Sequence, residues 1–307
     1  KRSLCREICE DSKDTWFFRW GGTWTYCMVA VSYILCEGVV WDFVSGVVGK
    51  LQQFYMNCSL SERRKLFMKV LVIPDIHLKP FMFKQAAELM ERGIAQRAVC
   101  LMDIPDDWDK QFNILFYEET YEEAIRFAKK YPDTAWCYGN HDLSYVWREL
   151  ETGYSTMAAY TVRKKLLDLK EVLPENNPIK YVHRIDNVLF SHAGVAKNFV
   201  ELYVPKTKHD DVDTVLDYIN NFGKMEMWYD GSPIWLRPQY TDVKMYKSHQ
   251  FLQVVGHTPM ETITKKNNVI SCDVFSTYRD GKPIGTKEFL LLDTITWDYS
   301  MVNYGNC

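Results

Sequence analysis

Five short apolar runs in this chain each end, within a few residues, on aspartate, asparagine or histidine, and no other feature limits the fold as much. The first is Lys69–His77, KVLVIPDIH, where a Val/Ile-rich run closed by Pro74 delivers Asp75 and His77 one residue apart. Such a run reads as a buried strand of a parallel sheet, apolar on both faces. Ligands of such sheets collect at the carboxyl ends of the strands, where the loops begin. Taken alone, Asp-x-His is equally well a strand running into a polar turn. The event recurs at Asp103, at Asn140 and His141, at His192 and at His257, which puts four of the seven histidines at strand ends.

Between these ends the pattern alternates. Phe81–Gln96 carries apolar residues at helical spacing, and Arg97–Asp103 reads as the second strand. Phe116–Tyr131 follows as a helix with Glu118, Glu119, Glu122 and Glu123 early and Arg126, Lys129 and Lys130 late, a distribution that suits the helix dipole. Pro132 stops it, and Thr134–Tyr138 is a third strand. Helices are expected over Ser155–Lys170 and Val212–Asn221, and strands over Val188–Ser191, Leu252–Val255, Val269–Val274 and Phe289–Asp293. Strands alternating with helices indicate an α/β fold. Gly223–Tyr240 is irregular and aromatic, either a substrate-facing loop or a small hydrophobic cluster that ties itself down.

Residues 1–67 look unlike the rest. They hold five of the nine cysteines and four of the tryptophans, with no clear period. The uncharged run Trp20–Cys36 is slightly short for a membrane span and interrupted by Gly21, Gly22 and Ser32, so a membrane role is not expected. Glu62-Arg63-Arg64-Lys65 is what a purine-rich bacterial ribosome-binding site would spell just before Met68. Residues 1–67 are thus either a translated leader or a genuine N-terminal extension, disordered or irregular, and residues 68–307 are the domain. Arg63 and Arg64 encoded by CGN codons would exclude the leader. An odd cysteine total without paired spacing argues against a disulfide framework or structural zinc, and the main body reads as cytoplasmic. A net charge of −3 carries no footprint for nucleic acid.

Oxygen and imidazole ligands without thiolates suit borderline divalent ions such as Mn, Fe, Zn or Ni. Six such ligands exceed what one catalytic ion with open positions needs, and suit two ions sharing a carboxylate. The ordered blocks PDIH, MDIPDD, YGNHD, SHAG and VGHTP, spanning about residues 69–293, resemble the calcineurin-like metallophosphoesterase superfamily. GHTP and HAG resemble its phosphoprotein phosphatase branch, which includes bacterial serine/threonine phosphatases and the symmetrical diadenosine tetraphosphatases. The resemblance implies a metallophosphoesterase fold, two mixed sheets in a sandwich flanked by helices, with a dimetal site at the strand ends. It implies that Asp75 and His77 hold one ion, that Asp103 bridges, and that Asn140, His192 and His257 complete the second. A water between the ions would attack phosphorus in line, with His141 as general acid and Asp106 as its carboxylate partner. A surface helix N-cap role for Asp106 or Asp107 is the structural alternative.

Two positions depart from the family pattern. Met102 stands where a glycine precedes the bridging aspartate, and Asp107 stands where the branch carries a phosphate-binding arginine. Arg237, in Ile234-Trp235-Leu236-Arg237, resembles a W-x-R segment and is the candidate substitute, the alternative being an arginine stacked on Trp235; Arg148 is a weaker one. The expected substrate is a phosphorylated protein or small phosphomonoester. Dinucleoside polyphosphate or nucleotide hydrolysis is the alternative within enzymes, and a non-catalytic metal-binding scaffold the alternative outside them.

Overall fold

The computed structural model describes residues 68–303. The readings that fall on residues 1–67 lie outside the described residues. Strands β1 (Lys69–Ile73), β2 (Arg97–Cys100) and β3 (Ala135–Trp136) run parallel, and β9 (Phe289–Asp293) and β10 (Tyr299–Val302) extend the sheet antiparallel, in the order β10-β9-β1-β2-β3. The second sheet is ordered β4-β5-β6-β8-β7, from Val182–Ile185, Val188–Ser191, Leu252–Val255, Val269–Ser271 and Thr264–Lys266 respectively. Within it β5, β6 and β8 are parallel, and the outer two strands are antiparallel to their neighbours.

The apolar runs are continuous because both sheets are covered on both faces. In β5, Val188 and Phe190 enter the core shared with the first sheet, while Leu189 points the other way into a separate cluster with Phe199, Val215 and Ile234. Each fully buried residue of this size contributes about 1.5–3 kcal/mol. Helices α1 (Phe81–Glu91), α2 (Ile114–Lys130) and α4 (Ala159–Val172) bury their apolar stripes in the first core. The short α3 (Asn140–Trp147) lies between α2 and α4 in sequence, and α5 (Lys197–Tyr203) and α6 (Val212–Asn220) contribute to the second cluster. Among the described residues no helix is long and apolar enough to cross a membrane.

Several boundaries differ from the sequence expectation, each for a local reason. The first helix stops at Glu91 rather than Gln96, because Gly93 turns the chain at φ 72°. The second starts two residues early, at Ile114, where Asn113 caps it by accepting the Phe116 N–H. The helix expected from Ser155 begins at Ala159, since the Ser155 hydroxyl accepts the Ala158 N–H in a turn. Strand β2 ends at Cys100 instead of Asp103, and β8 ends at Ser271 instead of Val274. The sequence pattern predicts neither the strands β4, β7 and β10 nor the short helices α3 and α5. β4 pairs with β5 through a two-residue turn at Asp186-Asn187, with Asp186 at φ 50°. All five chemistry-bearing ends, those of β1, β2, β3, β5 and β6, are carboxyl ends of mutually parallel strands within their sheets.

Candidate functional site

The backbone beyond these strand ends is folded tightly enough to leave the ordinary α and β regions. His77, Met102, Asp103, Asp106 and His257 all have φ between 42° and 67°. Left-handed backbone costs an L-residue roughly 1–2 kcal/mol, so something must hold it. A short ladder does part of this: the N–H groups of Ile76, His77 and Leu78 donate to the carbonyls of Met102, Asp103 and Ile104 at 3.0, 2.8 and 3.0 Å. The buried Asp142 carboxylate adds to this, accepting N–H groups from Gly139, Asp103 and Ile104 at 3.1, 2.9 and 3.2 Å, and Asp75 Oδ1 holds the other turn by accepting the His257 N–H at 2.7 Å. Met102, at φ 55°, shows why a glycine is easy there; here a fully buried methionine side chain in the core offsets the strain.

Two glycines of the sequence blocks are required by close approach. A Cβ at Gly139 would lie 1.9 Å from Asp103 Oδ1, and one at Gly256 would lie 1.9 Å from Asp75 Oδ2. The backbone thus closes directly over the two carboxylates.

The side chains form two groups that share Asp103. Asp75, His77 and Asp103 offer ligand atoms that all lie within 4.8 Å of one another, and so do Asp103, His192 and His257. The hydrogen bonds fix which nitrogens are offered. His77 Nδ1 faces the Asp106 carbonyl at 2.9 Å and His192 Nδ1 faces the Leu101 carbonyl at 3.0 Å. Each must donate from Nδ1, which leaves Nε2 as the lone-pair nitrogen. His192 Nε2 then meets three further lone-pair donors: Asp103 Oδ2 at 3.1 Å, Asn140 Oδ1 at 3.0 Å and His257 Nδ1 at 3.2 Å. Asp75 Oδ2 and His257 Nε2 are buried without a hydrogen-bond partner. Acceptors converging on acceptors in a dry site need a cation among them, and these residues fit a divalent metal centre.

The electrostatics without a metal express the same crowding. Burial, then the neighbouring Asp273 and Asp103 carboxylates, pushes Asp75 well above the usual carboxylate range. Burial opposes the charge on Asp103 as well, yet the His192 and His141 imidazoles hold its carboxyl far below that range. Burial works against protonated His192, but Asp103 and Asp75 carry it up to about 9, so a proton stands where a cation would. Burial brings His77 down to about 4.

Beside these candidate ligands, His141 Nδ1 lies 2.9 Å from Asp106 Oδ2, and the His141 N–H donates to Asp103 Oδ1 at 2.9 Å. Burial lowers the basicity of His141, but Asp103 and Asp106 outweigh it and lift the imidazole to about 9. Asp106 begins no helix; its carboxylate faces His141, Tyr117 and Tyr145, so the N-cap alternative does not hold.

The expected phosphate side is built otherwise. Asp107 Oδ2 pairs with the buried Lys79 Nζ at 3.2 Å, and Asp107 Oδ1 accepts from Thr277 Oγ1 at 2.6 Å. Arg237 donates from one guanidinium nitrogen to the His257 carbonyl at 3.1 Å and Thr258 Oγ1 at 3.3 Å, so it is anchored on the His257 turn rather than stacked on Trp235. Arg148 is exposed and ends α3. Trp235 lies perpendicular to His257, with ring centroids 5.6 Å apart, and is followed in a row of edge contacts by Trp228 and Trp147. Met227, Ile234 and Leu236 of the aromatic stretch are core residues, which makes it a self-packed cluster carrying one half-buried tryptophan face.

Asp142, Asp273 and Lys79 escaped the sequence reading. Asp142 follows His141 inside a block already singled out. Asp273 accepts both its hydrogen bonds from Ser276 and is pushed by burial to about 6; only the last residues of an expected strand marked it.

A family model described as calcineurin-like phosphoesterase matches residues 68–281. Among solved structures, the chain is similar to a cold-active protein-tyrosine phosphatase of a psychrophile, Shewanella sp., at 16% identity over 77% of this chain and 80% of that one, with a TM-score of 0.47. It is also similar to an archaeal phosphodiesterase, at 13% identity over 76% of this chain and 99% of that one, with a TM-score of 0.37. No curated protein matches the chain.

Proposed function

The chain belongs to the calcineurin-like phosphoesterase family, and on that premise we propose that it hydrolyses phosphate monoesters, phosphoserine or phosphothreonine in proteins foremost, using two divalent ions. The observation that carries this reading is the sharing of Asp103 between two ligand groups, with the His141–Asp106 pair hydrogen-bonded to the same carboxylate's neighbourhood. Asp75, His77 and Asp103 would hold one ion, and Asp103, Asn140, His192 and His257 the other. Manganese is the first choice, with iron, zinc or nickel compatible with the same donors. When bound, such ions neutralise the phosphoryl oxygens and make an attacking water more acidic.

The protein's own groups supply the rest. His141, protonated and aimed by Asp106, gives its proton to the leaving oxygen. Arg237, fixed on the His257 turn, adds positive charge where the phosphate oxygens dock. Asp103 takes part twice, as shared ligand and as acceptor of the His141 N–H, which couples the position of the acid to the position of the metals.

A second reading, hydrolysis of a dinucleoside polyphosphate or other nucleotide, is favoured by Asp107. Its pairing with Lys79 leaves that side without a guanidinium for a dianionic monoester, while Trp235 beside His257 is a flat surface for a base. The deciding assay supplies Mn²⁺ and compares p-nitrophenyl phosphate, a phosphopeptide and diadenosine tetraphosphate. Phosphopeptide turnover supports the first reading and dinucleotide turnover alone the second. No turnover of any of them, with metals bound, contradicts both.

A further inference from the structure

The Asp106 carboxylate is buried, and only one of its oxygens faces His141. The other, Oδ1, receives two phenols from different helices: Tyr117 of α2 at 3.0 Å and Tyr145 of α3. A carboxylate oxygen accepts two hydrogen bonds, so the two phenols fill the capacity of Oδ1 and fix the orientation of the carboxylate from two helices. Both tyrosines are fully buried, where phenylalanine would pack as well without a hydroxyl to desolvate.

The direction of these bonds is forced. The Tyr145 oxygen accepts the Ser155 N–H at 2.8 Å, so its single proton has Asp106 as its destination. Burial and the Asp106 charge both raise the two phenols well above their ordinary range, so they remain donors. Asp106 is therefore an acceptor on Oδ1 and on Oδ2, and the proton between Oδ2 and the imidazole belongs to His141 Nδ1. Nε2 is then the nitrogen left for the substrate. The assembly is also braced from outside: Tyr145 stacks on Tyr154 with centroids 4.2 Å apart, Ser155 donates its hydroxyl to the Gln111 carbonyl, and Gly153 passes close to Asp106.

We infer that Tyr117 and Tyr145 are positioning residues for leaving-group protonation, acting through Asp106 to hold His141 in one tautomer and one orientation. The inference rests on the reading of His141 as general acid. A dyad set this way matters most when the departing oxygen is basic, and least when it leaves readily as an anion.

The test uses the metal-loaded full chain with Tyr117→Phe, Tyr145→Phe and the double variant. Phenyl phosphate and 2,4-dinitrophenyl phosphate serve as poor and good leaving groups, with metal content and thermal midpoint measured alongside. The expected result is a loss in kcat of about tenfold per phenol on phenyl phosphate. On the dinitrophenyl ester the loss stays under about twofold, with KM and metal content unchanged. Equal losses on both esters, or none on either, would overturn the inference and leave the tyrosines a purely structural role. Wild-type chain silent on both esters would contradict the proposed hydrolysis itself. Turnover with leaving-group-dependent loss in His141→Ala but not in the tyrosine variants would contradict this inference alone. A readout independent of turnover is the His141 Nδ1–H proton resonance in the zinc-loaded protein. It should be a single sharp downfield signal that broadens in the double variant, and an unchanged signal there counts against the inference.

Discussion

The proposed metal side and the proposed phosphate side of this site are built by opposite means. On the metal side every ligand is delivered by a strand end, and the backbone itself is the clamp: left-handed turns at His77, Asp103 and His257, and glycines 139 and 256 closing on Asp103 and Asp75. On the phosphate side the fixing is done by side chains that meet from far apart in sequence, as Asp107 meets Lys79 and Thr277, and Arg237 meets Thr258. Strand-end geometry tolerates almost no substitution, whereas a side-chain pair is free to change partners. Of the two departures from the resembled pattern, Asp107 lies on the phosphate side, and Met102 lies on the metal side, where a buried side chain stabilises it.

The comparison breaks most severely on the metal side. Gly139→Ala drives a methyl group into Asp103 Oδ1, and Asp103→Asn removes the shared charge; both should cost bound metal and activity together, read by metal analysis and by turnover. If either variant keeps a full complement of ions, Asp103 is not the shared ligand. His141→Ala should lower kcat by roughly 10²–10⁴ with metal content unchanged, and a variant with full rate would remove His141 from the chemistry.

The phosphate side predicts stability effects instead. Lys79→Met leaves the Asp107 carboxylate half-buried and unpaired, and should destabilise the fold by about 3–5 kcal/mol in denaturant titration, without loss of metal ligands. Asp107→Arg, which places an arginine where the resembled phosphatase branch has one, sets two cations against each other at Lys79 and should be destabilised too. An Asp107→Arg protein of undiminished stability and raised activity would show that the pair is dispensable. Smallest is Arg237→Ala: kcat/KM lower by about tenfold, mostly in KM, as expected for one lost hydrogen-bonded charge. Lysine there should not rescue it, because the anchored guanidinium uses one nitrogen on the His257 turn.

What was legible in the sequence follows the same division. The candidate ligands could be placed at one site because each is local to its strand: the apolar run predicts the strand, and the polar residue just after it lies at the strand's carboxyl end. The left-handed turns could not be read, since His77, Met102 and His257 carry no glycine to announce them. Lys79 stands two residues after His77 in plain view, but its partner is 28 residues away. The phenols on Asp106 lie 11 and 39 residues from it; the spacing of the helix that carries Tyr117 marks that residue only as core, and the short helix that carries Tyr145 has no sequence signal of its own. Strands β4, β7 and β10 were missed because they sit at sheet edges or in hairpins, where fewer residues are buried on both faces.

The central claim is that Asp103 is shared by two ions. Electron paramagnetic resonance of the Mn²⁺-loaded protein tests it most directly. An exchange-coupled pair is expected, its hyperfine spacing about half that of an isolated ion, as for two metals about 3.5–4 Å apart, and lost in Asp103→Asn. A six-line spectrum of an isolated ion at every loading, with one metal bound per chain, would contradict it.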